Sequence, residues 1–446
     1  MIIVSRVKGF RNIQKRYGLN TAVKATANVL RGRSAQDVLP TNPVAPVQTD
    51  TPRPVQHTNF DYYQLHNRWL QGHADVISSS TCRQSFAKRK IAIIADLNLA
   101  QCKKYRVMQK YEAFKSTGID VEFCHWLDQP RALNMLQCAT HVVFYRIPQH
   151  PLSQAYLHEA QRLDIQIIYD LDDPIFHRDV YGKNTGLNFI SAGEREHLLK
   201  GSHEYYQFMR KCDTLIASTP GLQNLMQETF NQPVVLWRNL VDAETRAAAE
   251  LAMRAKAGIV QERDLTDSFV MGYMSGSRAH EANFRFASPQ IANIMETYEH
   301  VSLKIVGHLR LPDELIPFKF RIKQLPFSDY DVYIEELASV DLNLVPLCID
   351  EFNDCKSAIR YLEASLVQVP TIVSRIGDFT HIIYPGETGV LIEAAADWYG
   401  AIENFILNPE NVKVMGLAAQ KDVMKRFLLT QTPDTVGSIF DLDVVE

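Results

Sequence analysis

Twice along this chain, short apolar runs alternate with stretches of helical spacing, and this alternation limits the possible fold more than any other feature. From Lys90 the runs are IAIIAD (91–96), DVEFCHW, HVVFYRIP, IQIIYDLDD and TLIAST, followed by PVVLWRNLVD (233–242). Helical spacing lies between most of them, first over Tyr105–Ser116. The pattern restarts at FVMGYMSGS (269–277). It continues through VSLKIVGHL (301–309), RIKQLPF (321–327), VDLNLVPL (340–347), PTIVSRIG (370–377) and TGVLIE (388–393). Short apolar runs bounded by polar residues are what parallel strands buried on both faces require. Their alternation with helices builds doubly wound α/β domains. Two such domains are predicted, 89–245 and 246–427, with the Ala-rich charged stretch 243–262 as a connector. Ligands of open α/β sheets bind beyond the carboxyl ends of the strands, so the two domains are expected to face a shared crevice.

A length of 446 residues accommodates two such cores. The flanks differ in character. Residues 1–36 carry eight basic residues (Arg6, Lys8, Arg11, Lys15, Arg16, Lys24, Arg31, Arg33) and no acid. With a total net charge of −4, the other 410 residues stand at −12, which argues against a nucleic-acid partner for the body. Ile3, Val7, Phe10, Ile13 and Tyr17 share one face of a helical pattern with bases opposite. Segment 1–35 therefore suits either an anionic membrane surface or docking on the protein's own body. Segment 36–88 opens with five prolines among Thr, Gln and Asn, an extended linker, and regains packable composition at NFDYYQLHNRWLQ (59–71). Residues 428–446 read as a tail. Seven cysteines without a CxxC pair fit reduced thiols. No apolar run approaches the roughly 20 residues that span a bilayer, and MIIVSRVKGF lacks the core of a signal peptide. A cytoplasmic protein is expected, peripheral on the inner face of the membrane if the basic segment binds there.

DCKSAIRYLEASL (354–366) is the first candidate site. On a helix starting near Lys356 or Ser357, Ala358, Ile359, Leu362 and Leu366 form an apolar face, with Lys356, Arg360 and Glu363 at its edge. A helix N-terminus with Lys356 and Ser357 suits a phosphate. Glu363 lies about 10 Å further along, within reach of the ribose of the same nucleotide. The alternative is a surface Arg360–Glu363 pair. YDLDDP (169–174) is the second candidate. Asp170, Asp172 and Asp173 allow three roles: a Mg²⁺ site, a structural turn at Pro174, or acid/base and acceptor contacts. At Tyr105–Arg106, the arginine could meet an anionic acceptor or the donor phosphate, or simply start a surface helix.

YLEASLVQVPTIVS, IGDF and YPGETGVLI, in this order and at close spacing, resemble the GT-B glycosyltransferases, in particular the large retaining family 4. The resemblance extends to Gly272–His280, to VGHL (306–309) and to Tyr105–Val107, covering most of 90–427. It implies two Rossmann-like domains facing a cleft, a nucleotide-diphosphate sugar donor, and transfer with retention to a glycan or lipid-linked glycan acceptor. Neither a cofactor nor a metal is implied. Glu363 corresponds to the ribose-binding glutamate. Gly276 and Ser277 correspond to a turn beside the donor phosphates, with Arg278 and His280 where the family often has Arg and Lys. Gly377, Asp378 and Phe379 lie near the donor sugar or phosphates. Cys355 replaces a frequent glutamate, and Lys356 is a candidate for supplying the missing cation. The expected function is sugar transfer in surface polysaccharide or glycolipid assembly. Its competitors are a metal-dependent GT-A-like transferase using YDLDD and a catalytically degenerate GT-B scaffold.

Overall fold

A computed structural model describes residues 88–259, 267–274 and 281–431, with isolated positions at 265, 436, 437 and 439. The basic segment 1–35, the Pro-rich segment 36–87 and the turn 275–280 lie outside the described residues.

All twelve expected strands form. In the first domain they are β1 (Lys90–Ala95), β2 (Asp120–His125), β3 (His141–Tyr145), β4 (Gln166–Leu171), β5 (Thr214–Ala217) and β6 (Val234–Leu236). They pair throughout in parallel, in the order β2-β1-β3-β4-β5-β6. The second sheet contains β7 (Phe269–Met274), β8 (Val301–Val306), β9 (Ile322–Leu325), β10 (Leu342–Val345), β11 (Thr371–Ser374) and β12 (Val390–Ile392). Its order, β12-β11-β10-β7-β8-β9, is again fully parallel and reverses direction between β7 and β10. β3 and β10 are buried along their whole length, as helices on both faces of a parallel sheet demand.

Helices α1 (Gln109–Ser116), α2 (Gln129–Cys138), α3 (Pro151–Arg162), α4 (Ala192–Met209) and α5 (Pro220–Thr229) flank the first sheet. A π-type turn, Lys103–Met108, leads into α1. Segment 243–262 is more than a connector. Ala243–Ile259 forms α6, whose buried Ala248, Ala249 and Ala252 bring it against α8 (Tyr330–Ala338) in the second domain. Small side chains at that contact permit close approach of the two axes. Asp242 anchors its start by accepting from the Thr245 amide at 2.7 Å. Other helices of this domain are α7 (Glu281–Thr297), α9 (Ile359–Leu366), α10 (Asp397–Leu407) and α11 (Glu410–Arg426). Beyond α11 the chain returns to the first domain: Leu428 pairs with Val241, and residues 429–431 pack on α1.

Candidate functional site

The loops at the carboxyl ends of the two sheets meet. On the first-domain side stand Arg146 after β3, Asp172 and Asp173 after β4, and Thr219 after β5. On the second-domain side stand residues 346–358 after β10 and 375–378 after β11. The start of α9 differs from the expectation. A short helix, Glu351–Asp354, closes first, and the Lys356 amide turns back to the Asn353 carbonyl at 3.0 Å. Regular helix then begins only at Ile359. Lys356 therefore stands just ahead of the helix and not on its stripe. Ala358, in the N-cap position, offers no side-chain cap, and the amides of Ser357, Ala358 and Ile359 have no hydrogen-bond partner among the described residues. Such amides form the positive end of the helix dipole.

Lys356 reaches across to the first domain. Its Nζ lies 2.7 Å from Asp173 Oδ1 and 4.6 Å above the Phe352 ring. Phe352 in turn stacks on Tyr181 of the first domain. Arg146 Nη1 lies 2.9 Å from Asp172 and 3.4 Å from Asp173. Burial pushes the Asp173 carboxyl up, but Lys356 and Arg146 outweigh it and hold the group below the usual carboxylate range. Arg146 adopts a φ of +54°, a left-handed conformation that costs a non-glycine residue energy.

Glu363 is only 4% exposed, so it forms no surface pair with Arg360. Three phenols donate to it: Tyr105 of the first domain, Tyr330 at 3.2 Å and Tyr333 at 2.8 Å. Burial raises its pKa above the ordinary carboxyl value, against the lowering effect of those hydroxyls and of Arg360. Tyr105 comes from the π-type turn, an irregularity frequent at functional sites.

Tyr105 and its neighbour Arg106 have different surroundings. Arg106 and Asp170 are both 0% exposed, and Arg106 Nε lies 3.3 Å from Asp170 Oδ2. Lys110 completes the cluster on the same carboxylate. Arg106 also donates to the Trp237 carbonyl at 2.8 Å and to Asn239 Oδ1 at 2.9 Å. These contacts make Arg106 an internal brace and not a surface helix start, and both oxygens of Asp170 face cations.

Segment Trp237–Asn239, which sequence patterning marks only as the end of a strand, spans the two domains. Arg238 Nε donates to Asp378 Oδ1 at 2.9 Å, and Asn239 Nδ2 donates to Ser357 Oγ at 3.1 Å. Gly377 has a φ of +65°. A Cβ there would lie 2.9 Å from the Asn353 carbonyl oxygen, so the close approach it permits is to the chain's own backbone. Phe379 is buried at the start of the next helical turn. Cys355 is buried as well, and burial pushes its thiol up to about 12, away from nucleophilic chemistry. Its carbonyl accepts from Thr219 Oγ1 at 3.0 Å, another link between the domains. Gly276, Ser277, Arg278 and His280 lie outside the described residues.

The structure thus brings Tyr105, Asp173, Lys356, Ser357, Glu363 and Asp378 to the contact between the two domains, and places Asp170 and Arg106 behind it. Sequence reasoning missed Arg146, Arg238, Asn239, Tyr330 and Tyr333. Of these, only Tyr330 and Tyr333 carried a local signal, a phenol pair at helical spacing.

No protein-family model matches the chain, and no curated protein matches it in sequence. Solved structures do resemble it in fold. HepE from Anabaena, in complex with UDP and glucose, has a TM-score of 0.55 at 14% identity, over 79% of this chain and 100% of that one. Sucrose-phosphate synthase from Thermosynechococcus elongatus has a TM-score of 0.54 at 13% identity, over 79% and 98%. WaaG, a glycosyltransferase involved in lipopolysaccharide biosynthesis, has 0.52 at 12%, over 80% and 100%.

Proposed function

The chain has the GT-B fold, and from that premise we propose that it transfers a sugar from a nucleotide-diphosphate donor to an acceptor hydroxyl. The observation that carries the proposal is the juxtaposition of uncapped amides at residues 357–359, the Lys356 ammonium, and the Glu363 carboxylate seven positions beyond it. The amides and Lys356 suit a diphosphate, and the carboxylate suits ribose hydroxyls. HepE, a neighbour in fold, was crystallised with UDP-glucose, which supports a donor of this class.

As the glycosidic bond breaks, the leaving diphosphate gains negative charge. Fixed donors at the head of α9, together with Lys356, stabilise that charge without reorganising. Closure of the domains over the donor excludes water and so limits hydrolysis. Asp172 and Asp173, across the crevice from Lys356, are the carboxylates available to an acceptor hydroxyl. Retention of configuration, contacts from Arg278 and His280, and a role in surface polysaccharide or glycolipid assembly rest on the family resemblance alone. Each YDLDD carboxylate lies against Arg106, Lys110, Arg146 or Lys356, so the metal-dependent alternative gains no support from the geometry.

Calorimetric titration of UDP, GDP and dTDP into wild type and Glu363→Ala, with and without EDTA, tests the proposal. One nucleotide is expected to bind independently of metal and to lose at least tenfold in affinity on mutation, about 1.4 kcal/mol. Binding that EDTA abolishes and Glu363→Ala leaves alone moves the site to YDLDD. Absence of all binding, by Tyr105→Phe and Asp173→Asn as well, favours the scaffold.

A further inference from the structure

Four second-domain side chains read above as donor contacts face a group from the first domain or from segment 237–239. Lys356 meets Asp173, Ser357 meets Asn239, Asp378 meets Arg238, and Glu363 meets Tyr105. Two of these partners share the chemistry of the ligand they exclude. A carboxylate on Lys356 supplies the anionic oxygen that a phosphate would. A phenol donating to Glu363 supplies the hydroxyl that a ribose would.

We infer that the first domain seals the donor site with stand-ins for the donor itself, Asp173 for a phosphate oxygen and Tyr105 for a ribose hydroxyl. The inference rests on the donor reading above. Each stand-in has a second partner to keep when the site opens. Asp173 keeps Arg146, which also holds Asp172. Tyr105 Oη lies 3.1 Å from Tyr330 Oη, itself 3.2 Å from Thr245. Neither side of the crevice is left with an isolated buried charge: on opening, Lys356 and Glu363 pass from stand-in to nucleotide. A nucleotide that binds only the unsealed form has its apparent affinity reduced by the fraction of molecules unsealed. The seal is therefore a brake on donor binding, and weakening it tightens the complex.

The test titrates UDP, GDP and dTDP into the full-length wild type, Tyr105→Phe, Asp173→Asn and Glu363→Ala. Removing a stand-in is expected to tighten binding of the accepted nucleotide by up to about tenfold, whereas Glu363→Ala weakens it. Tighter binding by either Tyr105→Phe or Asp173→Asn supports the seal, including the case where neither wild type nor Glu363→Ala binds. Unchanged or weaker binding in both, with Glu363→Ala still weakened, overturns the seal and leaves the donor reading standing. Absence of binding by all four proteins, or binding indifferent to Glu363→Ala, overturns the donor reading and the seal with it.

Discussion

Lys110 and Arg106 share a single carboxylate, that of Asp170, in a place closed to solvent. Two cations cannot both be fully compensated by one anion. Burial and the neighbouring Arg106 charge bring the Lys110 pKa down from 10.5 to about 7 despite Asp170. The folded state then gives up this proton near pH 7, while the unfolded chain keeps it until about 10.5. Between those values the unfolded state binds more protons, so the contribution to stability rises with pH. Urea denaturation from pH 7 to 10 is expected to show this rise in wild type and to lose its Lys110 component in Lys110→Met. Equal slopes in the two proteins would refute the assignment. A buried charge cluster of this kind does not present itself in a sequence. Arg106 looks like an ordinary helix residue until Asp170, 64 positions away, is placed beside it.

At the level of elements, closure depends on how near α5 can come to the turn at Asp354. Thr219 caps α5, accepting from the Leu222 amide at 3.1 Å, and the same hydroxyl donates to the Cys355 carbonyl. Gly221, in the first turn of α5, faces the Asp354 carbonyl so closely that a Cβ would collide with backbone. Alanine favours helix over glycine, so Gly221→Ala is neutral or stabilising for α5 alone. In the closed molecule it overpacks the contact, an effect of about 1–3 kcal/mol. Gly221→Ala is therefore expected to enlarge the radius of gyration in solution scattering by parting the domains, with the helical content unchanged. An unaltered scattering profile would show that this contact does not limit closure.

At the scale of the whole molecule, the two sheets are joined twice, through α6 and through the returning segment at Val241–Leu428. Relative motion of the domains must therefore bend both crossings. No described helix is long and apolar enough to cross a membrane. The proposed route to a lipid-borne acceptor runs through the basic segment 1–35, read from its sequence alone. Flotation with anionic liposomes is expected to carry the full chain upward and to lose it when residues 1–35 are removed. Equal flotation of both proteins would place the membrane contact elsewhere.

Local pattern determined much of this protein. Apolar runs report burial within a few residues of themselves, and all twelve strands and both domains lay at the positions where such runs occur. The same locality brought Lys356, Ser357, Glu363 and Asp378 to attention, because their motifs are short and contiguous. Tertiary structure alone decided which groups oppose them. Asp173, Tyr105, Arg238 and Asn239 lie between 118 and 258 residues from their partners in sequence. No periodicity encodes a hydrogen bond across such a distance. It also decided that Asp170 and Arg106 are internal, since a buried charge is tolerated only where its counter-charge arrives. That meeting is a property of the packed sheet and helix, and neither residue's neighbours along the chain announce it.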